Sequence, residues 1–208
     1  MLVCSTTSAA VEIPAPAHDA SLASASGHEI LVVAGGCFWG IQAVFQHVKG
    51  VISATSGYSG GEAKTASYDV VSSGTTGHAE SVEVIYDPSK VTPGQLLRVF
   101  FSVAHDPTEL NKQGPDHGTQ YRSAIFYNSP EQQKLAQDYI AQLNAAKVFD
   151  KPVVTEVAPL KAFYAAEDYH QNYATLHPNN SYIAVNDAPK VVNLKQYFPD
   201  LYTQFTLK

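Results

Sequence analysis

Apolar residues fall along the chain in short blocks with two different periods. Ile30-Leu31-Val32-Val33-Ala34 is an unbroken, uncharged run, which predicts a buried strand. Gly35 and Gly36 then permit a sharp turn, and Ile41, Val44, Phe45 and Val48 recur at helical spacing up to a stop at Gly50. Val51 to Ser56 reads as a second strand running into a glycine-rich loop, Gly57-Tyr58-Ser59-Gly60-Gly61, with loop character continuing from Tyr68 to Gly77. Ala79 to Tyr86 alternates in part, as expected for a strand with one solvated face. Thr92 and Pro93 are a cap and a first helical residue, followed by the stripe Leu96, Leu97, Phe100 and Val103. No period is visible from Ala104 to Thr119, so a long loop is predicted there, and such loops are often functional.

Ser123 to Tyr127 reads as a strand, and Ser129-Pro130-Glu131 opens a helix carrying Leu135, Tyr139, Ile140 and Leu143 on one side. Val153 to Val157 is a further strand, Phe163 to Leu176 a helical or semi-helical segment, and His177 to Lys208 lacks a strong period. Tyr197, Phe198, Leu201, Tyr202 and Phe205 predict that the end of the chain docks on the body. The first six elements match a split β-α-β-β-α-β order. The expected fold is therefore α+β: a two-layer, ferredoxin-like sandwich with a mixed sheet and extended loops.

Length and charge narrow the function. A chain of 208 residues can bury roughly 70% of its unfolded surface, so residues 29–208 read as one domain that needs no disulfide or metal staple. Residues 1–28, mostly Ala, Ser, Thr and Pro, read as a flexible tail. Thirteen basic residues against 19 acidic ones, with no basic run, argue against nucleic acid or an anionic membrane surface as a partner. No stretch is long and apolar enough to span a bilayer, and no apolar core of a signal peptide is present. The tail thus belongs either to a cytoplasmic chain, the favoured reading, or to one from which an export signal has been removed. With only Cys4 and Cys37, a disulfide framework or a four-thiolate zinc site is impossible, and the eight histidines show no metal-ligand spacing; no metal or cofactor is expected.

Cys37 is the centre of the chemistry. It falls at or just before a helix N-terminus, where unpaired N–H groups and the helix dipole favour a thiolate. The dipole supplies only about 0.3–1 kcal/mol, less than one pKa unit, so other groups must help. Phe38 and Trp39 place an apolar surface beside the sulfur, which suits an apolar substrate group. Three more stretches could converge on it. Glu80 opens an otherwise apolar strand, and a buried Glu keeps its proton near neutral pH. Gly114 to Arg122, containing Asp116, His117 and Tyr121, is dense in small and polar residues. Tyr68 offers a hydroxyl for a polar oxygen and a ring that excludes water. Each has a plain alternative: a buried structural Cys, a strand-end Glu, a turn, a packing tyrosine.

Taken together these stretches resemble one family, the A-type peptide methionine sulfoxide reductases. The matching pieces are Gly36-Cys37-Phe38-Trp39-Gly40, Gly57-Tyr58-Ser59-Gly60-Gly61, Thr76-Gly77-His78-Ala79-Glu80, His105-Asp106-Pro107, Gln113 to Ile125, and Ala166-Glu167-Asp168-Tyr169-His170-Gln171. The resemblance spans about Ile30 to Pro178. It implies that Cys37 attacks the sulfur of the S epimer of methionine sulfoxide, free or in proteins, and that Glu80 protonates the oxygen with help from Tyr68 and Tyr121. It further implies an apolar cup of Phe38 and Trp39 for the substrate methyl, with Asp116 and His117 on the substrate side, and a Cys37 sulfenic acid as first product.

Ser181 to Lys208 contains no cysteine, unlike many members of the family, so an external thiol is expected to resolve the sulfenic acid: thioredoxin, or glutathione with glutaredoxin. Cys4, on a flexible tail, is a less favoured internal candidate. A monomer is expected. A Cys–His hydrolase, a thiol peroxidase and a module that binds oxidised methionine without turnover are the competing readings.

Overall fold

The computed structural model describes residues 10–207; Cys4 lies outside them. β1 (Glu29–Gly35) is the middle of a six-stranded mixed sheet. It is followed by α1 (Phe38–Gln46), β2 (Val51–Ser59), the short α2 (Tyr68–Val71), β3 (Ala79–Tyr86) and α3 (Pro93–Val99). A π-helical turn, Phe100–Ala104, extends α3. The long loop holds a two-stranded hairpin, β4 (Lys112–Gln113) and β5 (Asp116–His117), and a 3-10 turn, Thr119–Tyr121. Then come β6 (Ser123–Tyr127), α4 (Pro130–Ala145), β7 (Glu156–Pro159), β8 (Phe163–Ala165), α5 (Tyr173–Leu176) and α6 (Ala188–Tyr197).

The sheet order is β7-β6-β1-β3-β2-β8. Its inner four strands, β6-β1-β3-β2, pair antiparallel, with Val33 opposite both Val82 and Ile125, which is the expected ferredoxin-like arrangement. β7 adds in parallel to β6 and makes the sheet mixed. Because β1 is central, it is buried on both faces, and this explains why its apolar run does not alternate. Leu31 and Val33 face the helical layer with Phe45, Leu96, Phe100 and Tyr139, whereas Val32 and Ala34 join a smaller cluster with Phe126 on the other face.

Three expectations change. The Phe163–Leu176 segment begins as an edge strand, β8, paired to β2, because two adjacent aromatics fit a pleated edge better than a helix start. Gly57 is accordingly a strand residue: a Cβ there would lie 2.3 Å from the Phe163 ring and 2.4 Å from the Tyr164 carbonyl oxygen, so glycine lets β8 close on β2. The C-terminal region is helical, a π-turn at Ile183–Asp187 leading into α6. Its buried residues Ile183, Asp187, Lys190 and Leu194 are spaced four, three and four apart, a helical stripe whose period was hidden by the two charges at its centre. The end of the chain docks as expected, with Tyr202 stacked on His47 at 5.8 Å.

The described part of the N-terminal segment has no helix or strand but is not a free tail. Ile13 is fully buried in the main core. Val11 exchanges hydrogen bonds with Ser102, Arg98 Nε donates to the Ile13 carbonyl, and Tyr139 Oη donates to that of Pro14. Asp19 accepts from Gly94 N at 2.9 Å and from Thr92 Oγ1 at the start of α3. Low hydrophobicity concealed this strap, since one isoleucine supplies most of its burial. Ile13→Ala is therefore expected to cost about 2–5 kcal/mol in urea unfolding, whereas Leu22→Ala, at an exposed position of the same segment, should cost less than about 0.5.

Candidate active site

Cys37 is the N-cap residue of α1. The turn that places it there uses Gly36 at φ +93°, a left-handed conformation favouring glycine, and its absent Cβ leaves room for the Gln113 side chain 2.5 Å away. Cys37 is 9% exposed and Phe38, the first helical residue, is buried. Glu80 lies in β3, opposite Tyr58 of β2, with 4% of its surface exposed. Its Oε2 accepts the Phe38 backbone N–H at 3.1 Å, so a free donor of the helix start is spent on the carboxyl group. Burial pushes Glu80 up to about 8, against the pull of that N–H, and the charges of Asp116 and Asp187 push the same way. Glu80 is thus largely protonated at neutral pH.

The Cys37 thiol is held well above its ordinary range by burial and by the nearby Glu80 and Asp187 carboxyls. The Trp39 backbone N–H and the Lys190 ammonium oppose this. The site at rest is a neutral thiol beside a neutral acid. Tyr68, at the start of α2, and Tyr121, at the end of the 3-10 turn, are half-buried; burial and the Glu80 charge raise both hydroxyls, so they remain donors. Glu167 anchors this side by accepting from the Tyr58 hydroxyl and the Tyr68 backbone N–H.

Trp39 stacks face to face on Tyr173, ring centroids 3.9 Å apart, and meets Tyr182 edge-on at 6.0 Å. Its indole Nε1 donates to His170 Nδ1 at 3.1 Å. Only the indole can donate here, so that ring nitrogen carries no proton, in keeping with the burial that lowers the His170 pKa. Asp116 accepts a short hydrogen bond from the Tyr182 hydroxyl. Its neighbour His117 is exposed in the same short strand. The other seven expected residues all converge. Reading the sequence for motifs missed Tyr182, Asp187 and Lys190, and gave His170, within the quoted Ala166 to Gln171 stretch, no role of its own; the only signal for Asp187 and Lys190 was the spacing of the C-terminal stripe. Among the described residues no three His, Cys, Asp or Glu side chains are grouped as a metal site requires.

A buried thiol at a helix start, a carboxylic acid that burial keeps protonated and an aromatic surface on a ferredoxin-like sheet are the parts that a thiol-based oxidoreductase acting on a polar oxygen would use. Comparison with known proteins gives the particular family. Residues 29–201 match the family model of the peptide methionine sulfoxide reductases, and the chain belongs to that family: it is an oxidoreductase acting on methionine sulfoxide. It is 60% identical over 181 residues to peptide methionine sulfoxide reductase MsrA 2 of Mesorhizobium japonicum, covering 87% of this chain and 93% of that one. It is 50% identical to MsrA 2 of Synechocystis, over 90% and 89% of the two chains. Among solved structures it is similar to reduced Mxr1 of Saccharomyces cerevisiae, at 32% identity and a TM-score of 0.68 over 80% of this chain and 98% of that one. Methionine sulfoxide reductase A of Corynebacterium diphtheriae gives 36% identity and a TM-score of 0.63, over 74% and 77%.

The buried acid has a consequence for stability. In the unfolded chain Glu80 loses its proton near 4.5, in the folded protein near 8. Between those values the folded state holds a proton that the unfolded state has released, so stability falls as pH rises through that window, by about 3 kcal/mol at pH 7. Glu80→Gln, which keeps an acceptor for the Phe38 N–H, should match the wild type in urea unfolding near pH 4.5 and exceed it by roughly this amount at pH 7. A gap that does not grow with pH would contradict the assignment of a raised pKa.

Proposed function

We propose that the protein reduces the S epimer of methionine sulfoxide, free or within proteins, through a sulfenic acid on Cys37 that an external thiol resolves. The observation that carries this reading is the Glu80 carboxyl, buried, protonated and fixed by the Phe38 N–H one residue from the thiol. Sulfoxide oxygen is a poor leaving group until it is protonated, and protonation also drains electron density from the sulfur to be attacked. In this reading the oxygen is held by Glu80 and by the hydroxyls of Tyr68 and Tyr121, while the methyl group enters the cup of Phe38 and Trp39. Asp116 and Tyr182, tied to each other, border the substrate opposite the acid.

Glu80 gives its proton to the oxygen and the thiol proton replaces it as the Cys37 sulfur attacks. The attack joins the Cys37 sulfur to the substrate sulfur; the oxygen then passes to Cys37 as the sulfur–sulfur bond and the substrate's sulfur–oxygen bond break, leaving methionine and Cys37 sulfenic acid, so that the thiol sulfur loses two electrons and the sulfoxide sulfur gains them. Selectivity follows from shape. The pyramidal sulfur carries a methyl, an oxygen and a chain, and fixed places for methyl, oxygen and attacking thiol leave one hand that fits. The absence of cysteine from Ser181 to Lys208 supports an external reductant, thioredoxin or glutathione with glutaredoxin.

A two-epimer assay on a blocked methionine sulfoxide, with excess dithiothreitol, tests the reading: only the S epimer should disappear. Loss of both epimers, or of neither, would overturn it. Cys37→Ser should abolish the loss, and Glu80→Gln should slow it by about 10²–10⁴, the worth of a positioned acid; a change within twofold for Glu80→Gln would place the proton source elsewhere.

A further inference from the structure

Beside Cys37, a small cavity of about 40 Å³ is lined by Cys37, Gln113, Tyr182, Asn186, Lys190 and Asn193, of which Tyr182 also meets Trp39 of the cup. It includes none of Glu80, Phe38, Trp39, Tyr68 or Tyr121. At that size it holds one or two water-sized groups and nothing larger. Lys190 is 8% exposed and its ammonium bonds Asp187 Oδ1 at 3.2 Å; Asp187 is fully buried, and its Oδ2 has no hydrogen-bond partner among the described residues. Both charges press on the first turn of α1, where a Cβ on Gly40 would lie 2.1 Å from Asp187 Oδ1 and 2.8 Å from Lys190 Nζ.

A buried ion pair with spare hydrogen-bonding capacity is costly, and a native core rarely leaves one without a use. The ammonium has three donors and Asp187 takes one, so two remain for the cavity that Lys190 lines. The reaction proposed above adds one oxygen atom to Cys37. Displacement at a divalent sulfur runs in line, the incoming thiol opposite the departing oxygen. A thiol that enters where methionine has left therefore needs the sulfenic oxygen turned away from it, and the cavity beside Cys37 has room for one such oxygen. Rotation about the Cys37 Cβ–Sγ bond is the motion this requires.

We propose that Lys190, held against α1 by Asp187, binds the oxygen of Cys37 sulfenic acid and protonates it as it leaves, making Lys190 a catalytic residue of the reductive half-reaction. The incoming thiolate forms a sulfur–sulfur bond to Cys37, the sulfur–oxygen bond breaks, and the oxygen departs as water with one proton from Lys190, which the thiol's own proton restores. A second thiol equivalent then releases Cys37 as a thiol and leaves the reductant as a disulfide. This inference rests on the sulfenic acid of the proposed function.

The test separates the two half-reactions in the full chain with Cys4→Ser, comparing Lys190 with Lys190→Met and Lys190→Arg. Methionine formed in a first turnover without reductant measures the oxidative half. The oxidised enzyme is then mixed with dithiothreitol, and the remaining sulfenic acid is trapped with dimedone and weighed by mass spectrometry. Lys190→Met should slow loss of the sulfenic acid on the order of 10²-fold and slow first-turnover methionine formation at least tenfold less than that, since Lys190 acts there only through its charge on the Cys37 thiol, and Lys190→Arg should recover most of the loss. Should Lys190→Met not fold, because it leaves Asp187 alone, the double variant Asp187→Asn with Lys190→Met carries the same expectation. Reduction of the sulfenic acid within threefold of the parent rate, or equal slowing of both halves, would overturn the role of Lys190. Absence of first-turnover methionine in the parent would instead overturn the sulfenic acid reading beneath it.

Discussion

One hydrogen bond organises this site: the Phe38 N–H donating to the Glu80 carboxyl across 3.1 Å. It joins the start of α1 to β3, elements separated by β2 in sequence, and so sets thiol and acid at a fixed distance. It also determines what kind of acid Glu80 is. A single neutral donor does not compensate a carboxylate for lost water, and the neighbouring acidic groups Asp116 and Asp187 add repulsion, so the proton stays. Had a cation stood there instead, Glu80 would be a carboxylate with nothing to give.

The same economy of charge makes the site expensive. A thiol, three acidic side chains and one ammonium lie within or against the core, and Glu80 is less stable folded than a neutral isostere would be at neutral pH. Stability comes from elsewhere: the central strand buried on both faces, the helical layer with its large aromatics, and the strap through Ile13 and Asp19 that closes the far side of that layer. Rigidity around the thiol is local. Glycines at 36 and 40 let Gln113 and the Asp187–Lys190 pair approach α1 more closely than any side chain would allow.

How much of this was readable in the sequence follows from how far apart the interacting residues lie. Cys37, Phe38 and Trp39 sit in one hexapeptide, and Glu80 stands out as a carboxylate opening an apolar strand; both signals are local. The four-stranded centre was legible for the same reason, since its strands carry their own period and caps such as Thr92 carry their own chemistry. Residues that act across the chain were not. His170 and Tyr182 meet Trp39 from more than a hundred residues away, and the helical stripe bearing Asp187 and Lys190 looked aperiodic because its buried positions include charges. The strap failed as a prediction through averaging, a polar composition hiding a single anchoring isoleucine.

The central claim is that Glu80 holds its proton in the free enzyme at neutral pH. Protein labelled with carbon-13 at glutamate side-chain carboxyls, compared with Glu80→Gln to assign the signal, reports that proton directly in an NMR titration. A midpoint near 8 is the predicted result. A midpoint near 4.5, the ordinary value for this group, would mean that Glu80 rests as a carboxylate and that the oxygen of the substrate obtains its proton from another source.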